Sequence, residues 1–303
     1  MANFKNEFSW SKSRDGVFNE CKRKYFFNHY GFWNGWDSNE EDRTKRIYYL
    51  KQLNTKEIWL GSIIHEAIKY VLNQLKFGQG ISLSYALAIL RKKFEKEFIQ
   101  SSIKKYTGFN RKSHKFFEEE YGIEISEEDK KELLKKAELC LTNFYNSDTF
   151  MTIRKTPIED WIFLENFLNF NFEGDKIFLG IDFAMRDGDK IILYDWKTGK
   201  ERTADFDLQL TCYALYISER LGVSPKNIIA KIFNLSINKE DTFEINEEKL
   251  EEMKRYIQEK IKSMKSFLVD MEENIAKEEK EFPKEEGFYC SRCNFKKICS
   301  GEW

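Results

Sequence analysis

From Leu60 to Leu75 the apolar residues Leu60, Ile63, Ile64, Ala67, Ile68, Val71, Leu72 and Leu75 recur at intervals of three and four, the stripe of an amphipathic helix. Similar spacing predicts helices at about Leu83–Phe98 and Glu127–Phe144, until Pro157 interrupts and the period changes. Trp161–Phe172 is rich in aromatic and branched residues, and Ile177–Met185 and Lys190–Lys197 flank Arg186-Asp187-Gly188-Asp189, a hairpin signal. A helix is then expected over Phe206–Leu221, a buried strand over Ile228–Leu235, and a long Lys/Glu-rich helix from Asn246 to about Glu279. The pattern describes one α/β unit: a mostly helical early half feeding a single sheet.

Alternation puts Ile177, Leu179, Ile181, Phe183 and Met185 on one side of their strand and Asp182 on the other, between the small residues Gly180 and Ala184. In the next strand Ile191, Leu193, Asp195 and Lys197 share a face opposite Ile192, Tyr194 and Trp196. If Asp187-Gly188 forms a two-residue loop, Asp182 faces Leu193, and Asp182 and Asp195 become diagonal neighbours roughly 7–8 Å apart. Asp182, Asp195 and Lys197 then emerge on one side, where both carboxylates can share a divalent cation. A lone Asp-x-Lys is most often a surface ion pair, so the company it keeps decides.

That company includes His65, at the border of the first helix's stripe, with Gly61 one turn earlier expected to clear room above the imidazole. A lone histidine there is more often a satisfied rim residue. Gln209 and Tyr213, four apart, face one way on the helix after the hairpin and can reach a phosphate, although Tyr213 serves equally well as packing.

Composition narrows the chemistry. The 303 residues carry Lys+Arg 50 and Asp+Glu 51, a formal charge of -1, so nucleic-acid binding has to be local rather than a whole-molecule basic field. Aromatics at 16%, three prolines and a mean hydropathy of -0.62 exclude collagen-like, disordered and membrane-spanning classes. Residues 1–10 show no secretory signal, which makes the cytosol the expected compartment and free thiols or metal ligands the expected state of the six cysteines. There is no phosphate-loop motif of a motor domain. Cys290, Cys293 and Cys299 form C-x2-C-x5-C. Cys140 and Cys212 sit in apolar helical patterns, which leaves Cys21 as a distant fourth thiol. Zinc more often uses two short pairs, and three-plus-one is compatible with an iron–sulfur cluster.

Taken in order, GSIIHEAI, the Gly180–Asp182 GID, the Asp195–Gly199 DWKTG, and Gln209 with Tyr213 resemble the motifs of RecB-type PD-(D/E)XK nucleases, and LENFLNF around Glu165 is also similar. The cysteine pattern resembles the iron–sulfur subset of that family, which includes the AddB subunit and the CRISPR-associated exonucleases. Two departures are Lys22, where those families commonly have proline, and the long stretch 76–160 between the histidine and the sheet. The resemblance implies a PD-(D/E)XK core of mixed sheet flanked by helices within one domain over 1–303, with 76–160 as a helical insertion and 287–303 joined to Cys21 as a [4Fe-4S] clasp.

It implies that His65, Asp182, Asp195 and the Trp196 carbonyl hold a catalytic Mn²⁺ or Mg²⁺, that Lys197 positions the attacking water, and that Gln209 and Tyr213 orient DNA. Because an imidazole favours softer ions, Mn²⁺ is expected to support at least as much activity as Mg²⁺. The expected reaction is exonucleolytic hydrolysis of DNA at single-stranded ends, in recombination, repair or CRISPR spacer acquisition, with a helicase or adaptation complex as partner and no membrane. The rival is a non-catalytic DNA-end-binding or scaffolding subunit. Lys22, Arg23, Lys24, Arg292, Lys296 and Lys297 form a candidate phosphate patch, and Tyr25, Phe26, Trp33, Trp36 and Trp59 are candidate base-stacking rings.

Overall fold

The computed structural model describes residues 5–101, 115–199 and 203–302; of the 76–160 stretch, residues 102–114 lie outside the described part. Strand β1 (Trp10–Ser11) leads into helices α1 (Lys12–Glu20), α2 (Lys22–Phe26) and α3 (Asp42–Lys51). The short strands β2 (Leu53–Asn54) and β3 (Lys115–Phe116) pair in parallel around α4 (Lys56–Lys76) and α5 (Leu83–Ser101). Then follow α6 (Phe117–Glu120), α7 (Glu127–Tyr145), α8 (Asp148–Lys155), β4 (Trp161–Phe172), β5 (Asp175–Asp187) and β6 (Lys190–Lys197). Helix α9 (Thr203–Leu221), β7 (Ile228–Asn234), β8 (Lys239–Glu244), α10 (Glu247–Lys265), the β9 (Leu268–Asp270) and β10 (Ile275–Ala276) pair, and α11 (Lys296–Ser300) complete the order. Among the described residues no helix is long and apolar enough to cross a membrane.

The mixed sheet runs β1-β5-β6-β7-β8, with β4 along the other edge of β5. One edge of β5 is therefore shared. β1 pairs with it at Ile177 and Phe178, whereas β6 pairs only from Phe183 onward. The β5–β6 ladder ends at Phe183↔Tyr194, so Asp182 and Asp195 are the first residues beyond it, at a notch where β6 leaves β5 to follow β7.

The hairpin register differs from the sequence expectation. Asp187 pairs with Lys190, so the loop is Gly188-Asp189 rather than Asp187-Gly188. Glycine occupies the loop position at φ +60°, which a side chain resists. Strand parity survives the shift, but the acids move from diagonal positions to facing positions just beyond the ladder end.

A second correction concerns β5 itself. Ile177, Leu179 and Ile181 pack with α9 and α10 in one core, whereas Phe183 and Met185 pack with α4, α5 and α7 in the other. The strand changes its buried side at Asp182. Across from it in β4, between the pairs Leu164↔Phe183 and Asn166↔Ile181, Glu165 takes φ +49°.

Two further expectations fail for tertiary reasons. The Lys/Glu-rich helix ends at Lys265 rather than near Glu279, because Leu268 and Phe282 are drawn into the core and Asn274, at φ +51°, turns the chain between β9 and β10. Tyr25 and Trp59 are buried core rings, and Phe26, Trp33 and Trp36 are half-buried among other aromatics, rather than open stacking surfaces.

Candidate active site

The notch collects side chains from both layers of the fold. Asp182 Oδ2 accepts from the Trp196 backbone N–H at 2.7 Å, taking the place of the ladder bond lost where the strands part. Helix α4 delivers His65 from the other side: its Nε2 lies 3.0 Å from the Trp196 carbonyl, and its Nδ1 lies 3.3 Å from Asp182 Oδ1 and 3.6 Å from Glu165 Oε1. A carbonyl only accepts, so Nε2 carries hydrogen in that contact and the Nδ1 position is left between two carboxylates. Gly61 does not clear space over the imidazole as expected; a Cβ there meets Thr198 Oγ1 at 3.4 Å, so this glycine lets α4 approach the loop that follows Lys197.

On the facing side, Lys197 Nζ lies 2.5 Å from Asp195 Oδ2 and donates a hydrogen bond to Gln209 Oε1 at 2.9 Å. Gln209 Nε2 donates to Asp195 Oδ1 at 2.8 Å and also reaches the Tyr213 hydroxyl. One glutamine thus ties acid, amine and phenol into a fixed cluster. The structure brings together every residue the sequence singled out here, but it sorts them: His65, Asp182 and the Trp196 carbonyl meet Glu165, while Asp195 turns to Lys197 and Gln209.

Among the described residues, the three ligand atoms that converge within 4.8 Å of one another belong to His65, Glu165 and Asp182. Glu165 is the residue for which sequence reasoning had a resemblance and no role. Its position depends on a left-handed backbone in mid-strand, which no hydrophobic pattern reports; the only cue was a carboxylate in an otherwise apolar and amide strand.

The electrostatics favour positive charge at the notch. Burial, aided by the nearby Asp182 carboxylate, pushes Asp195 up to about 6. Burial likewise raises Glu165. Burial alone would depress His65, but the Asp182 and Glu165 carboxylates outweigh it and lift the imidazole well above its usual range. Burial holds the Tyr213 hydroxyl well above the ordinary phenol value, so it stays protonated. Asp195 Oδ2 is buried against the Lys197 ammonium, whereas Glu165 Oε1 is buried without a hydrogen bond, its nearest cationic group the His65 imidazole at 3.6 Å, an expensive state for a carboxylate oxygen unless a positive charge serves it. The donor set of one imidazole and hard carboxylates suits Mg²⁺ or Mn²⁺.

The superfamily model for PD-(D/E)XK nucleases matches residues 9–300, almost the whole chain, and spans every element that builds the notch. The chain belongs to the PD-(D/E)XK nuclease superfamily. Members are generally metal-dependent nucleases, and the mixed sheet flanked by helices is consistent with that fold. No curated protein matches the chain.

At the other end of the molecule Cys21, Cys290, Cys293 and Cys299 line one cavity of about 340 Å³. Cys21 sits at the break between α1 and α2, and its Sγ accepts from the Lys24 N–H. Burial pushes Cys293 up to about 11, with the other cysteines adding to it. The surrounding basic residues do not form the expected phosphate patch. Lys22, Arg23 and Lys24 pair with Glu285, Glu279 and Glu20, Lys297 pairs with Glu120, and Lys296 covers the Tyr121 ring, which leaves only exposed Arg292 of the six.

Proposed function

We propose that this superfamily member is a divalent-metal-dependent deoxyribonuclease that hydrolyses phosphodiester bonds exonucleolytically at single-stranded ends. The observation that carries this reading is the convergence of His65, Glu165 and Asp182 ligand atoms within 4.8 Å of one another, with Glu165 Oε1 buried and without a hydrogen bond, beside the Asp195–Lys197 pair at one notch. His65, Glu165, Asp182 and Asp195, with the Trp196 carbonyl, would hold the ion; when bound, it supplies Lewis-acid polarisation of the phosphate and neutralises developing charge. Lys197 Nζ, fixed by Gln209 and Asp195, would hold the attacking water at the phosphorus and offset the negative charge that gathers on the phosphate oxygens. Gln209 keeps the amine in one rotamer, and the protonated Tyr213 hydroxyl is placed to donate to a phosphate oxygen. Gly180, where an added Cβ would touch nothing within 4 Å, keeps the approach open.

The four cysteines are assigned a [4Fe-4S] cluster. A single zinc ion needs sulfurs about 3.8 Å apart, given Zn–S bonds of about 2.3 Å in a tetrahedron. No three cysteines among the described residues converge within 4.8 Å. A wider cage suits a polynuclear cluster, and a brown preparation is the expected sign of it. Recombination, repair or CRISPR spacer acquisition in the cytosol, with a helicase or adaptation partner, fits an AddB-like or CRISPR-associated member, and the 76–160 helices are assigned as an insertion on the single domain.

The test is cleavage of end-labelled single-stranded DNA by purified protein. Cutting is expected with Mn²⁺ at least as fast as with Mg²⁺, abolished by EDTA, and reduced by at least about a hundredfold in Asp195→Ala, the scale for losing a positioned catalytic group. Binding without metal-dependent cutting would instead mark an end-binding scaffold, and equal cutting by both proteins would mark a contaminant.

A further inference from the structure

Beside the notch lies a cleft of about 1000 Å³ whose walls include Gly180, Gln209 and Tyr213 together with Arg14, His29 and Lys51. Arg14 is only 7% exposed. Its guanidinium donates to the Tyr25 and Tyr30 hydroxyls and to Ser9 Oγ and lies against the rings of Phe8 and Tyr25. Lys51 Nζ sits 3.3 Å above the Phe32 ring. Among the described residues neither cation pairs with a carboxylate; the one acid on the cleft wall, Glu20, is taken by Lys24. The contrast with the basic residues around the cysteines, most of them neutralised by glutamates, is plain.

A buried guanidinium and a half-buried ammonium that repel each other and lack a counter-charge are costly to fold. Burial together with Arg14 pulls Lys51 down to about 8, and burial with the same two cations depresses His29. Helix α1 opens onto the same wall, with Ser11 at its N-cap and Ser13 in its first turn, so its positive end faces the cleft as well. An independent observation comes from two rings on the same cleft wall. Phe167, 76% exposed, stacks on Phe178 with centroids 5.2 Å apart and planes within 14°. Phe178 precedes Asp182 by four residues, roughly 13 Å of strand. A stacked aromatic pair with one exposed ring, beside a cationic pocket without a carboxylate partner among the described residues, is a combination that suits a single nucleic-acid strand.

We propose that this cleft is the track of a single-stranded substrate, with one backbone phosphate seated between Arg14, Lys51 and His29 and one base stacked on the Phe167–Phe178 pair, before the strand reaches the notch. The assignment rests on the nuclease reading for the strand's destination but not for its binding. The track fixes the entering strand by charge and by ring faces, which every base offers, so binding depends little on sequence.

The experiment measures anisotropy of a labelled single-stranded oligonucleotide with the full chain in EDTA, where cutting cannot interfere, over a range of salt. Lys51→Met is expected to weaken binding about tenfold and to lower the salt slope by about one, while melting no lower than the parent protein. Phe167→Ala is expected to weaken binding by about tenfold with the salt slope unchanged. Asp195→Asn should bind like the parent and not cut. Unchanged affinity in both Lys51→Met and Phe167→Ala would overturn the track. So would calorimetry showing that inorganic phosphate binds and that Lys51→Met abolishes this without altering oligonucleotide affinity. Should the parent bind as described and never cut with any metal, the nuclease reading fails while the track stands.

Discussion

Glu165 shows how a single residue can store cost at a site. Its φ of +49° is a region that side-chain-bearing residues avoid by about 1–2 kcal/mol, and its carboxyl lies near that of Asp182. Glu165→Gly is therefore expected to stabilise the metal-free protein by about 1 kcal/mol in denaturant unfolding with EDTA present, while the shift in melting temperature produced by Mn²⁺ shrinks. A destabilised variant whose Mn²⁺ shift is intact would contradict both expectations. Lys51 is a second such residue. Its folded value, about 8, lies below its ordinary 10.5, so between these the unfolded chain holds the extra proton and stability rises with pH. Lys51→Met should melt above the parent at pH 7, and the gap should close as pH climbs from about 8 towards 10.5. A gap constant over that range would show that the ammonium is not what burial penalises.

At the scale of elements, the notch is made by a disagreement between neighbours. β6 follows β7 beyond Tyr194 while β5 continues beside β4, and β1 enters only at Phe178. The gap between those two ladders is where Asp182 presents its carboxylate, and α4 and α9 bring His65 and Gln209 to it from opposite layers. Gly61 is part of this fit only through Thr198. Alanine there meets a single oxygen at ordinary contact distance and removes the glycine penalty from a helix interior. Gly61→Ala should therefore raise stability by up to about 1 kcal/mol with cutting close to the parent rate. A large loss of activity without a change in melting would return Gly61 to the imidazole.

Across the whole molecule, the C-terminal segment closes over the N-terminal helices. Phe295 and Ile298 pack with Phe27, Ile47 and Leu50, Arg23 bonds to the carbonyls of Phe282 and Pro283, and Tyr121 donates to the Asn294 carbonyl. Were Cys21 and Cys290 joined through the proposed cluster, nearly the full chain length would be a closed loop, whose constraint would fall mainly on the unfolded state. Cys290→Ala should lower the melting temperature by at least about 5 °C and leave the metal preference of cutting unchanged. Lost cutting at an unchanged melting temperature would give the cysteines a role other than a clasp.

Much of this was legible from order and period. The stripe of α4, the strand pair, the shared face of Asp195 and Lys197, and the four-residue spacing of Gln209 and Tyr213 are local facts, because 3.6 and 2.0 residue periods decide which side chains share a face. What local periods cannot carry is where one ladder stops and another begins. The roll of β5 at Asp182, the left-handed Glu165 that completes the candidate cation site, the early end of α10, and the gathering of Arg14, His29 and Lys51 from three separate segments all depend on contacts between residues distant in the chain. Tertiary packing alone determined that Glu165 Oε1 is buried without a hydrogen bond and which of the described cations meet no carboxylate, because a charge's partners are set by what folds against it rather than by its neighbours in sequence.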